Sequence, residues 1–173
     1  MKSFEFQLKR YLVLISKVIF SYLIPFSIGI FFYYIADNVM FLLLPFLFIT
    51  VFFLIIPLSL CLNYYILDRY KNLQLNMVTK EIIIQKEREK WNYSVNEIKR
   101  LELWKNHSFR NNWGMYHYYK IIPKDDNKMS LYISCLIVKD LHKELPEIPF
   151  EERSAFLPYM WQDAKYDVEK ELY

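Results

Sequence analysis

Polar and apolar residues alternate along this chain with two different periods. No charged residue occurs between Lys17 and Asp37, and a second uncharged run extends from Asn38 to Leu67. A hydrocarbon core about 30 Å thick needs roughly 20 apolar residues in helix. Both runs therefore predict membrane-spanning helices, over about 11–36 and 40–67. The link Asp37-Asn38-Val39 is so short that the helices must fold back as an antiparallel hairpin, with both chain ends on one side. Pro25, Pro45 and Pro57 fit this setting, because neighbouring helices in a bilayer can re-satisfy the backbone groups a proline frees. A core hairpin of a soluble bundle is the competing arrangement, and the polar chain is too short to cover it. A cleaved signal peptide does not fit a second apolar run that follows directly.

After residue 70 the period becomes two. Leu73, Leu75 and Met77 alternate with polar residues, and Thr79-Lys80-Glu81 turns into the β-rich run 81–87. Arg88-Glu89-Lys90 turns again into Trp91-Asn92-Tyr93. This is a meander of short strands. Ser94 and Glu97 then stand at capping-box spacing, where each side chain can satisfy the other's backbone N–H. Leu101 and Leu103 alternate with charges directly behind, which predicts a single turn leading into another strand. A continuous helix from Val95 to Trp104 remains the alternative.

Residues 106–114 read as a polar loop, 115–122 as an aromatic and β-branched strand, and Lys124–Asn127 as a hairpin turn after Pro123. From 128 to 138, Leu131, Ile133, Cys135 and Ile137 occupy one face while Tyr132, Ser134 and Leu136 occupy the other. Residues 139–145 predict a short helix stopped by Pro146, and the charge-rich tail 146–173 predicts one or two surface helices. The layout is a segment 1–10, a hairpin over 11–67, a β-domain over 72–145 and a helical extension over 146–173.

Charge orients the hairpin. Lys2, Lys9, Arg10 and Lys17 precede the first run and Arg69 and Lys71 follow the second, while the link carries no Lys or Arg. The positive-inside rule then puts both termini in the cytoplasm of a multi-pass protein of the inner membrane. Tyr11, Tyr64, Tyr65 and Tyr70 mark one interface, Tyr33 and Tyr34 the other. Lys17 is expected to snorkel to the headgroups or to make a polar contact in an oligomer. Residues 68–173 carry 18 basic and 17 acidic side chains. That balance excludes a nucleic-acid partner, which requires a basic surface to neutralise phosphates. Cys61 and Cys135 lie in apolar runs and read as small buried hydrophobes.

Catalytic patterns are missing. With 2 glycines in the chain there is no phosphate-cradling loop or dinucleotide fingerprint. His107, His117 and His142 have no zinc spacing, and the apolar runs hold no acid that would suggest ion transport. No cofactor is expected. The candidates are surfaces. Arg69, Lys71 and Lys80 are candidate contacts for anionic headgroups, and otherwise set topology. The loop His107, Phe109, Arg110 and Trp113 offers an aromatic and basic mix for a partner, or tucks back onto the domain.

Thr79, Glu81 and Ile82, then Trp91, Ser94, Glu97 and Ile98, then the run Leu131–Ile137 resemble the bacterial pleckstrin-homology (PH)-like membrane proteins. The resemblance covers roughly residues 10–145. It implies an α+β membrane protein, with a two-helix hairpin followed by a bent seven-stranded half-barrel and a closing helix. The pattern here yields six strands. The expected function is a non-enzymatic, membrane-anchored module that contacts lipids, a protein partner or a second copy of itself. The alternative is a small accessory subunit of a larger membrane complex, with the hairpin as its working surface.

Overall fold

The computed structural model describes residues 1–35, 40–105, 116–155 and 158–160. Phe4 and Phe6 alternate with Ser3 and Glu5, and Lys2–Glu5 is a strand, β1. Two long helices follow, α1 (Leu8–Ile35) and α2 (Met40–Asp68), packed against each other. Leu8–Phe31 is long and apolar enough to cross a membrane by length and composition, and the apolar stretch Leu54–Asp68 is shorter. The expected link Asp37–Val39 lies outside the described residues.

The meander follows as β2 (Lys71–Asn76), β3 (Glu81–Lys86) and β4 (Glu89–Ser94). Asn76 Oδ1 accepts the backbone N–H groups of Val78 and Thr79 at the first turn. Lacking glycine, the turns put Lys80 and Glu87 in left-handed backbone, each at φ 54°. β1 pairs antiparallel with β2, Glu5 opposite Asn72 and Lys2 opposite Leu75. The hairpin is therefore inserted between two paired strands of one sheet. The segment 1–10, expected as an N-terminal segment ahead of the hairpin, carries the edge strand of the β-domain and the start of α1.

The corner after β4 is a single 3-10 turn, Val95–Glu97, with both halves of the Ser94–Glu97 capping box formed. It leads directly into β5 (Ile98–Lys105), so the alternative continuous helix does not occur. A register shift after Ile98 leaves Lys99 as a bulge against β6 (His117–Pro123). β7 (Leu131–Ser134) is shorter than the predicted strand 128–138. Its end has a local cause: Ser134 Oγ accepts the Leu136 N–H, and the Ser134 carbonyl accepts those of Ile137 and Val138. A short helix, α3 (Leu141–Glu144), follows.

The predicted helical extension is corrected at Phe150–Ser154, which forms β8 and pairs in parallel with β5. Its charges hold it there. Across the two strands Lys105 reaches Glu152 at 2.7 Å, Arg153 reaches Glu102 at 3.7 Å and Arg100 reaches Glu151 at 3.8 Å. Residues 161–173 of that extension lie outside the described residues.

Among the described residues the strands form two four-stranded sheets, β1-β2-β3-β4 and β7-β6-β5-β8. Leu73, Leu75, Ile82 and Ile84 of the first sheet pack on Leu101, Tyr119, Ile121 and Ile133 of the second. The second sheet is also buried on its other face. There Tyr118 and Tyr132 pack with Val18 of α1 and with Leu60, Cys61 and Tyr64 of α2. The layers run sheet, sheet, helices, and at β7 neither face of the middle sheet meets water, whereas β8 at its other edge is exposed. This layering explains why β7 is buried at every position.

Candidate functional site: the junction between hairpin and β-domain

The two helix ends meet the domain through polar contacts. Asp68, the last residue of α2, is fully buried. One carboxylate oxygen takes the Lys71 ammonium at 2.7 Å and the other accepts the Ser134 N–H at 2.8 Å. Lys71 also donates to the Tyr132 carbonyl at 2.8 Å. A buried carboxylate is tolerated only with such partners. Just ahead of α1 the Gln7 N–H reaches the Leu136 carbonyl, and on α1 the Arg10 guanidinium donates to the Ile137 carbonyl at 3.1 Å.

Further along α2 the contacts turn aromatic. The Tyr64 ring stands edge-on to Tyr116 and Tyr118, and Trp104 lies parallel to Tyr118 with ring centres 6.2 Å apart. Tyr64 also donates its hydroxyl to the Pro158 carbonyl at 2.7 Å, and Asn63 Oδ1 accepts the Met160 N–H at 3.1 Å. Ser59 and Tyr159 share a hydroxyl contact. Tyr64, read as an interfacial tyrosine, is thus enclosed by protein. Tyr11 and Tyr65 form a half-buried group with Phe6, and Tyr70 is exposed.

The three candidate headgroup cations do not converge. Arg69 is exposed, its guanidinium 4.5 Å above the Tyr70 ring. Lys71 is committed to Asp68 and Tyr132. Lys80 sits at the far end of β2, paired with Glu147 at 2.6 Å. The register places Lys86 opposite Lys71, so the β3–β4 turn is the one that borders the α2–β2 junction. Lys86, Arg88 and Lys90 of that turn and its flanks form no ion pair among the described residues. Distance along the chain favours Lys80, and only the strand register reveals the others. The partner-loop candidates His107, Phe109, Arg110 and Trp113 lie outside the described residues.

A cleft of about 220 Å³ opens between β4 and β7, which among the described residues are edge strands of their sheets, beside the last turn of α2. Leu67, Ile84, Trp91 and Leu131 give it apolar walls, and Lys86 and Glu89 stand in its lining. Such a space suits an apolar group with a polar end. Acid–base or nucleophilic chemistry has little support here. Burial pushes the Cys135 thiol up to about 12, which suppresses the reactive thiolate. Burial also raises the Tyr119 hydroxyl, which donates to the Lys139 carbonyl at 3.2 Å. Among the described residues no group of three or more His, Cys, Asp or Glu side chains could hold a metal ion.

The model of the PH domain family matches residues 2–143. The chain belongs to the PH domain family. The match begins at β1 and runs through the inserted helices to α3, leaving β8 outside it. No curated protein and no solved structure matches the chain. PH domains are generally non-catalytic modules that bind lipids or proteins.

Proposed function

We propose that this PH domain is a membrane-anchored, non-enzymatic module of the inner membrane, with both termini in the cytoplasm. It presents the hairpin-side end of its first sheet to anionic lipid headgroups or to a protein at the membrane surface. The observation that carries the reading is the insertion of the apolar hairpin between β1 and β2, with both helix ends bonded to the β-domain. An anchor joined in this way gives the domain a fixed orientation that a flexible tether would not. Lys86, Arg88 and Lys90, which form no ion pair among the described residues, stand at the end of the sheet where the hairpin leaves it. Each cation near an anionic surface contributes on the order of 1 kcal/mol.

The test uses the full chain in vesicles of phosphatidylcholine, with and without phosphatidylglycerol. Acetylation of Lys86 and Lys90 is read by mass spectrometry against Lys80 as internal reference. Labelling of the first two is expected to fall in the anionic vesicles. Equal labelling in both vesicles, together with no protein cross-link to this end in native membranes, removes the proposal.

The reading as a small accessory subunit draws on the apolar side chains that α1 and α2 leave exposed, Phe20, Phe31 and Phe48 among them. Replacing the hairpin by an unrelated one separates the two, since a partner bound through the helices is then lost while contacts of the β-domain survive.

A further inference from the structure

Where the helices pack on the second sheet, their outer sides stay uncovered. On α2, Phe48, Val51, Ile55, Leu62 and Ile66 are all exposed. At 3.6 residues per turn they fall within a sector of about 60°. On α1, Leu8, Leu12, Ile19, Leu23 and Ile30 are exposed and fall within a similar sector of about 60°, while Val13, Phe20, Ile24, Ile28 and Phe31 extend the exposed apolar surface further round the helix. Neither stripe stops where the β-domain begins. Both run on beside it to the helix ends, where Val18 and Tyr64 are buried against the domain on other sides of the same helices.

Lys9 and Lys17 are exposed on α1. They lie about 100° and about 180° around the helix from Leu8, off the stripe. Lys9 borders the stripe on one side and Lys17 lies well round the helix from it. An apolar face with basic residues beyond one edge suits a helix whose surface meets the boundary between headgroups and acyl chains. The 28 residues of α1 make a rod of about 42 Å, longer than a hydrocarbon core of about 30 Å, and such an excess is accommodated by tilting.

We infer that the outer stripe of the domain-packed part of the hairpin is a lipid-contacting surface. The helices enter the bilayer obliquely, with Leu12, Leu62 and Ile66 against lipid and the PH sheet resting on the opposite, cytoplasmic side. The inference rests on the hairpin being the membrane anchor. It adds that the domain lies against the membrane surface and does not hang below it. Lys17 then reaches headgroups along the flank of a tilted helix. In an upright helix it would lie about 13 Å deeper than Leu8.

The test places a nitroxide by cysteine substitution at Phe48, Leu62, Ile66 and Val78 of the full chain, reconstituted in vesicles with Cys61 and Cys135 replaced by alanine. Collisions with oxygen, which concentrates in lipid, are compared with those of a water-soluble nickel chelate. Val78 is 90% exposed in the distal β2–β3 turn and serves as the aqueous reference. Leu62 and Ile66 are expected to share the oxygen preference of Phe48 and to lose access to the chelate. Chelate access equal to that of Val78, with Phe48 still in lipid, overturns the inference and leaves the anchor intact. Chelate access at Phe48 as well overturns the anchor itself. Protection from both reagents, with spin–spin broadening at Leu62, would mean that a second copy covers the stripe and also overturns the inference. Ile66→Cys reads the same stripe if Leu62→Cys does not fold.

Discussion

Asp68 accepts the Ser134 N–H at 2.8 Å, joining the last residue of α2 to the last residue of β7. The same carboxylate neutralises Lys71, whose side chain is only 12% exposed. Removing one partner of a buried pair strands the other charge, which costs about 3–5 kcal/mol. Asp68→Ala should therefore lower the urea stability of the micelle-solubilised protein by that order. Asp68→Asn should do less damage, because an amide oxygen can still accept from Ser134. A loss below about 1 kcal/mol for the alanine variant, the range of surface pairs, would show that the junction is not held by this carboxylate.

The corner at 94–97 predicts a pH response. Glu97 accepts the Ser94 N–H and pairs with Lys128 at 3.1 Å. The Lys128 hydrogen bond first, then that of the Ser94 backbone, hold its carboxyl below the usual 4.5. A carboxyl lowered on folding adds stability that is complete above its unfolded value and disappears as pH falls through the lowered folded one. The Ser94 amide resonance should hold its position down to pH 4.5 and titrate below it. Glu97→Gln should abolish that step, and an inflection at or above the ordinary carboxyl value refutes the assignment. Ser94→Ala should cost about 1 kcal/mol, as for other lost caps.

Much of the β-domain is legible in the sequence because its signals are local. The alternation of Leu73 and Leu75, the Ser94–Glu97 spacing and the aromatic run of β6 each predict their element from neighbours in the chain. Partners far apart are not legible. Phe4 and Phe6 alternate with polar residues, yet the strand that pairs with Lys2–Glu5 starts at Lys71, beyond the whole hairpin. β8 holds one apolar residue in FEERS and is kept in place by cross-strand charge, for which hydrophobic periodicity carries no trace. The same holds for the basic residues. Arg69, Lys71 and Lys80 are close in sequence, but the antiparallel register exchanges Lys80 for Lys86 and Arg88 beside the helix ends.

Cys135 should behave as an inert thiol. It is 8% exposed, and burial raises its pKa to about 12. Its thiolate fraction near neutral pH is then negligible, and modification requires opening of the turn after β7. Maleimide labelling of the native protein, followed by peptide mapping, should leave Cys135 unmodified until urea unfolds the domain. Labelling at the rate of an exposed cysteine placed at Val78 would mean that this turn opens freely.

Tyr118 and Tyr119 are neighbours in β6 that serve different layers. Tyr118 packs with Tyr64 of α2 and stacks on Trp104, whereas Tyr119 belongs to the core between the sheets. Truncating a buried aromatic costs about 3–5 kcal/mol, but the two losses should fall on different contacts. Tyr119→Ala removes packing that holds the sheets together, and the β-domain should unfold earlier as a whole. Tyr118→Ala weakens the face that holds the helices, while the core formed by Leu73, Ile84, Leu101 and Ile121 stays filled. Protease cleavage around Arg69 and Lys71 should then rise strongly under conditions where β3 and β5 remain protected from amide exchange. If Tyr118→Ala instead lowers protection equally in both sheets and gives no separate cleavage near Arg69, the helices and the β-domain unfold as one unit. The tyrosine face would then be part of the folding core and not a separable contact between hairpin and domain.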